Sequence, residues 1–461
     1  MDTKDDIGRC VRNRDVVARG CPPVLAPALE LYLDLHRSPE LSGAEHRTAA
    51  RLAEELTAAG CTVTTGEGGH GVVGVLINGE GPTVMLRAEL DALPVAEQTG
   101  LPYASQVTVQ GRDGVAVPVM HACGHDMHVA ALAGTARLLA AGRQHWRGTL
   151  VLVGQPAEET LSGARAMLLG GLYTRFPRPD VALAQHLSPF PAGFVAHGRG
   201  VMTAASRTLD VVLYGRGGHA SMPEYAVNPI DIAADATLRI KEWSAGQLTQ
   251  DHDRVVAAVG TLHGGVRANI LPETALLGIG LRAFSAERLA EAEVVVRDIL
   301  RRANEAAGGT RTPEVTVSSE SALNVNDPEA ARAVRRSHAA LLGASRVLDC
   351  PPTTATEDFA LYGGAGTDLY DGPAVPTVYW MVGSVGAKQW EAAAAATGAD
   401  RFAHVPPNHS PAYAPDPVPT LRTAIGSLSA AALEFLTRPQ TEVSVKCQRD
   451  DVRTARATRH N

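Results

Sequence analysis

The chain has 461 residues, 45% hydrophobic and 20% charged, with 4% aromatic residues and a formal net charge of −7. That length exceeds what one compact core organises, so two domains are expected. Acids outnumber bases 49 to 42 and no basic stripe carries interleaved aromatics, which argues against nucleic acid as a partner. No uncharged apolar run reaches the roughly 18 residues a membrane span needs, and Met1–Arg19 has no apolar core of the signal-peptide kind. Six scattered cysteines, Cys10, Cys21, Cys61, Cys123, Cys350 and Cys447, fit reduced thiols in a soluble cytoplasmic protein better than a disulfide framework.

In chain order, Ser42-Gly43-Ala44-Glu45 has the capping-box pattern and predicts a helix from about 43 to 59. Strands are expected at Gly71–Ile77 and Thr83–Arg87, a helix at Met127–Ala141, and buried strands at Thr149–Val153 and Val181–Ala184. Strands alternating with helices indicate a mostly parallel sheet covered on both faces. Near residue 205 the texture changes: Thr208–Tyr214 alternates like a strand with one wet face, Gly215–Gly218 turns, and Asn228–Ser244 is helical. Strands at Val255–Leu262 and Thr274–Arg282 and an amphipathic helix at Ser285–Ala307 complete a βαββα block. Asp327-Pro328 then supplies an N-cap and an N1 proline for a helix to about Leu342, and the last helix is Pro419–Leu436. The expected class is α/β: a discontinuous catalytic domain (22–204 and 314–438) with an inserted α+β domain (205–313) and a disordered tail (439–461).

Met120–Met127, M-H-A-C-G-H-D-M, sets a thiol and an imidazole two residues apart in a Gly-containing turn ahead of a helix, which is a place to hold a metal. A usable chelate generally needs about three to five protein ligands. Candidates follow: the carboxylates of Gln155-Pro156-Ala157-Glu158-Glu159 after an apolar run, His186 in Asp180–Pro189, and His409 in Asn408-His409-Ser410-Pro411. Each sits past a strand-like run or in a loop, where open α/β sheets assemble their sites. Asp91 is placed to orient a metal-binding imidazole, with a helix or turn cap as its alternative. His121 and His128 are read as structural, and Glu45 as a helix cap.

Seven segments in order resemble the aminoacylase and carboxypeptidase-like family of dinuclear metal hydrolases, most of all its hippurate hydrolase and indole-acetyl amino acid hydrolase branch. They are Leu35–Ser42 (L-H-R-S-P-E-L-S), Leu86–Pro94 (L-R-A-E-L-D-A-L-P), His121–His128, Gln155–Glu159, Arg216–Pro223 (R-G-G-H-A-S-M-P), Glu357-Asp358-Phe359 and Asn408–Pro411. The resemblance implies Cys123, His125, Glu159, His186 and His409 as ligands of two divalent cations (Zn, Mn, Co or Ni) and Glu158 as general base. It implies that the inserted domain is both lid and dimerisation surface, that His219 stabilises the oxyanion, and that Asn269 and Arg282 bind the substrate carboxylate. The implied substrate is a small N-acyl amino acid or peptide-like conjugate, with a dipeptidase, a carboxypeptidase or a silent ligand-binding relative as alternatives. The chain departs from the family pattern at Glu89 (usually Asp), Ser188 (usually aromatic), Glu224 (usually His) and Asn228 (usually Asp), which bears on the substrate pocket more than on the ligands.

Overall fold

The computed structural model describes residues 4–111, 114–247, 253–309, 311–397 and 401–437; the expected disordered tail at 439–461 lies outside them. The chain divides into two compact units. One is formed by the described residues of Met1–His197, Asp327–Asp349 and Tyr362–Asn461, the other by those of Gly198–Asn326 and Cys350–Leu361.

The larger unit is built on an eight-stranded sheet. Its order is Thr62–Glu67, Gly71–Asn78, Gly148–Gln155, Thr83–Glu89, Val181–Pro191, Thr377–Val385, Val195–His197 and Val347–Asp349. The four central strands, 148–155, 83–89, 181–191 and 377–385, run parallel, and they are buried along most of their length because both faces are covered. Helices Lys4–His36, His125–Ala141 and Pro417–Leu436 pack together, and their Val17, Leu31, Leu132, Leu139, Leu421 and Leu428 join Leu86, Leu152 and Leu183 of the sheet in one core. Register sets the height of the site. Glu89 pairs with Gln155 and Arg87 with Ala184, so His186, two residues on, lies level with the carboxyl ends of its neighbours.

The smaller unit has a four-stranded antiparallel sheet in the order Val255–Gly264, Thr274–Ala283, Ala205–Tyr214, Glu314–Ser321. Along Thr274–Ala283 every second side chain is buried, giving one face that packs on the helices Pro229–Gly246 and Ala286–Ala306 through Leu277, Ile279, Leu281, Ile240, Val296 and Leu300.

Four local expectations change. Residues before 22 are not peripheral: one helix runs from Lys4 to His36 through Pro22, Pro23 and Pro27, and Val16 and Val17 are in the core. The inserted block extends past residue 313, because Glu314–Ser321 pairs with Ala205–Tyr214 and completes its sheet. The capping box does not form. Helix His46–Ala58 has its first-turn Arg47 and Thr48 amides held by Glu40, at 3.0 and 2.8 Å, while the Ser42 hydroxyl donates to Asp91 at 2.7 Å. Glu45 stands at the N-cap, its carbonyl accepting from the Ala49 amide at 2.9 Å, but its side chain does not cap: Oε1 accepts from the Gly43 and Ala157 amides at 2.9 and 2.8 Å, which braces the loop carrying Glu158.

Candidate metal centre

Gly124 makes the first turn of the site. It stands in the left-handed region (φ 83) immediately before helix His125–Ala141, so the chain reverses between the Cys123 thiol and the His125 imidazole. The second turn follows strand Gly148–Gln155, where Ala157 takes φ 51 and directs Glu158 and Glu159 back over the strand end. Gly163 lets that loop close, since a Cβ there would lie 1.6 Å from the Pro156 carbonyl oxygen. His409 is itself a non-glycine residue in the left-handed region (φ 70), and its amide donates to the Ala122 carbonyl at 2.8 Å. Strain of this kind concentrates where the surrounding structure must aim a side chain.

Cys123, His125 and Glu159 offer ligand atoms that all lie within 4.8 Å of one another. His186 extends the group at the sulfur, with Nε2 3.4 Å from Cys123 Sγ, and His409 at the carboxylate, with Nε2 3.4 Å from Glu159 Oε1. Glu158 Oε2 lies 3.9 Å from His125 Nε2. All of these except His409 are shielded from solvent wholly or in large part. Asp91 sits behind them: His125 Nδ1 donates to its carbonyl at 2.9 Å and lies 3.2 Å from its carboxylate, which also accepts from the Glu159 amide at 2.9 Å.

The residues fit a bound cation. Among the described residues, the buried atoms His125 Nε2 and Glu159 Oε1 have no hydrogen-bond partner, and they face each other across 4.0 Å. Buried polar atoms are almost always satisfied, so two orphans aimed at one point mark a place for a positive centre. Burial, with the Glu159 charge beside it, pushes the Cys123 thiol up to about 12, so a thiolate there needs a cation to form. Burial also holds the His186 imidazole down to about 3, aided by its neighbour His128, which keeps it neutral as a ligand must be.

His219, Asn269 and Arg282 belong to the smaller unit. His219 and Asn269 line one open cleft of about 520 Å³ with Gly217, Leu271 and Glu273. The lining of that cleft does not include Arg282, which stands on strand Thr274–Ala283 and donates from Nη1 to the Thr354 carbonyl at 2.6 Å. Sequence reasoning missed Asn408, whose Nδ2 donates to the carbonyls of Cys123 at 3.3 Å and Leu187 at 3.2 Å. Its one signal was adjacency to His409.

The profile of peptidase family M20/M25/M40 matches residues 85–396, more than half of the chain. The chain belongs to that family. This M20/M25/M40 protein is 29% identical over 344 residues to IAA-amino acid hydrolase ILR1-like 2 of Arabidopsis thaliana, covering 74% of the chain and 75% of that relative. It is 32% identical over 331 residues to N-acetyl-L-cysteine deacetylase of Bacillus subtilis, covering 71% and 75%. Among solved structures it is similar to a dinuclear metal binding peptidase from the M20 family of Bacillus subtilis, at 25% identity and a TM-score of 0.67, covering 90% of this chain and 99% of that one. Among the described residues of this M20/M25/M40 chain, no helix is long and apolar enough to cross a membrane.

Proposed function

We propose that this protein is a metal-dependent amidohydrolase that cleaves the amide of N-acyl amino acids, releasing a carboxylic acid and a free amino acid. The observation that carries this reading is the facing pair of orphaned buried atoms, His125 Nε2 and Glu159 Oε1, with the Glu158 carboxylate beside them. Cys123, His125, Glu159, His186 and His409 would hold two divalent cations, Zn, Mn, Co or Ni. Bound there, the ions supply Lewis acidity towards a carbonyl and lower the pKa of water.

The chain's own residues do the rest. Glu158 takes a proton from the attacking water and delivers it to the leaving amine, a role typically worth about 10²–10⁴-fold. Asp91 fixes His125 in the tautomer whose Nε2 carries the lone pair, and it anchors the Glu159 amide. His219 Nδ1 accepts from the Ser221 amide at 3.1 Å, so its proton is on Nε2, the arrangement an oxyanion donor requires. Asn269 and Arg282 bind the substrate carboxylate. The names of the two curated relatives, both hydrolases of amino acid conjugates, support this substrate class.

We also assign the smaller unit as lid and dimerisation domain; Leu262, Val266, Ile270 and Leu276 are exposed apolar side chains on and beside its edge strand. The free Cys10, Cys21, Cys61, Cys123 and Cys350 support a reducing, cytoplasmic setting. The family's description as peptidases supports one rival reading, cleavage of true peptides. Turnover of a panel of N-acetyl, N-benzoyl and indole-acetyl amino acids against dipeptides, after reconstitution with each metal, decides between them. Faster dipeptide hydrolysis would reject the N-acyl amino acid assignment.

A further inference from the structure

We propose that the buried Glu89–His128 pair is the positioning device for the metal-binding imidazole of His186, acting through the Leu187 peptide. The proposal rests on the reading that His186 and Cys123 hold a divalent metal.

Glu89, His125, His128 and His186 offer nitrogen and oxygen atoms that all lie within 4.8 Å of one another, a cluster that on composition alone would pass for a second cation site. The hydrogen bonds exclude that use of His128. Its Nε2 accepts from the Leu187 amide at 3.0 Å, which places the ring proton on Nδ1, and Nδ1 donates to Glu89 Oε2 at 2.8 Å. Both nitrogens are committed, so no lone pair is left for a metal.

The bonds instead form a line that ends on His186. Leu187 is held from both sides: its N–H by His128, its carbonyl by His186 Nδ1 at 2.7 Å and by Asn408 Nδ2 at 3.2 Å. With Nδ1 donating to that carbonyl, His186 Nε2 carries the lone pair, and it faces Cys123 Sγ at 3.4 Å. At the other end, Glu89 is fully buried and its charge is met by the Arg87 guanidinium, which is 1% exposed. Arg87 Nε donates to Gln155 Oε1 at 2.9 Å, and the Tyr362 hydroxyl donates to the same oxygen at 2.9 Å.

Strand geometry makes the arrangement possible. Arg87 and Glu89, two apart, share a face of their strand, and the register sets His186 level with Glu89 on the adjacent one. The longer acid at position 89, where the family pattern has Asp, spans from Arg87 to His128. Replacing Glu89 by Gln removes the obligatory acceptor, so His128 is free to take the other tautomer, whose Nε2–H would oppose the Leu187 amide.

The test is metal-binding calorimetry on metal-free full-length protein, titrated with Zn²⁺ and separately with Mn²⁺. Glu89→Gln is expected to weaken one binding step by about 10–100-fold and leave the other close to wild type, the usual effect of losing a group behind a ligand. Glu89→Asp, which keeps the charge, is expected to recover part of that loss, and kcat at saturating metal should fall with little change in KM. Thermal unfolding of the metal-free variants reports whether they fold. Where Glu89→Gln does not, the Glu89→Asp isotherm decides. Folded variants with both steps unchanged would overturn the positioning role alone. A wild-type protein that binds no divalent metal would overturn the metal-centre reading and this proposal with it.

Discussion

Gly124 carries the most demanding single position in the site. Its φ of 83 is strained for any residue with a Cβ, and a Cβ would sit 2.8 Å from Leu187 Cδ1. Gly124→Ala should therefore cost about 2 kcal/mol or more in urea unfolding, from backbone strain and overpacking together, and should loosen metal binding by separating Cys123 from His125. Glu158→Gln tests the chemistry. We expect kcat to fall by about 10²–10⁴ with two metals still bound by elemental analysis; full turnover in that variant would reject Glu158 as the base.

At the scale of elements, one buried contact ties three of them together and predicts a pH dependence. His197 ends strand Val195–His197, His338 lies in helix Pro328–Leu342, and Trp380 lies in strand Thr377–Val385; their rings pack with centroids 5.0–6.4 Å apart. His338 Nε2 donates to the Ser427 carbonyl at 3.0 Å, so its Nδ1 accepts from His197 Nε2 at 3.0 Å, and both rings are neutral. Burial holds His338 down to about 4, and burial with His338 and Arg335 nearby holds His197 well below its ordinary value. The unfolded chain protonates these rings near 6.5, the folded chain only far lower. Their contribution to stability is thus complete above about pH 6.5 and lost as pH falls towards 4. Denaturation of wild type and His338→Gln between pH 4 and 8 checks this: the acid-side loss should be shallower in the variant, and equal slopes would reject it. Helix Lys4–His36 shows the opposite balance. Each of its three prolines costs about 3 kcal/mol in a helix interior, and packing against helices 125–141 and 417–436 outweighs that cost.

At the scale of the whole molecule, metal should act as a folding ligand. At free metal of about 100 Kd a single site adds about 2.7 kcal/mol, so chelation should lower the unfolding temperature and metal should restore it in differential scanning calorimetry. An unfolding temperature indifferent to chelator would count against the centre. Light scattering of the metal-loaded protein should give twice the 48.3 kDa chain mass if the smaller unit joins two copies; a monomer would reject that part of the proposal.

The sequence by itself determined most of the central elements and the ligand candidates, but not helix Lys4–His36 or strand Thr377–Val385. Apolar runs followed by Gly, Pro and paired acids are local signals, and Cys123, His125, Glu158 and Glu159 each lie within a few residues of the turn that aims them. Only the tertiary structure decided what stands behind those residues. Glu89 meets His128 across 39 positions, Asn408 meets Cys123 across 285, and Ser42 bonds Asp91 instead of capping the helix that follows it. Such partners are chosen by strand register and by the need of a buried polar atom for whatever donor or acceptor the fold brings near it. No local pattern encodes that choice, which is why the capping box at Ser42 gave way to packing.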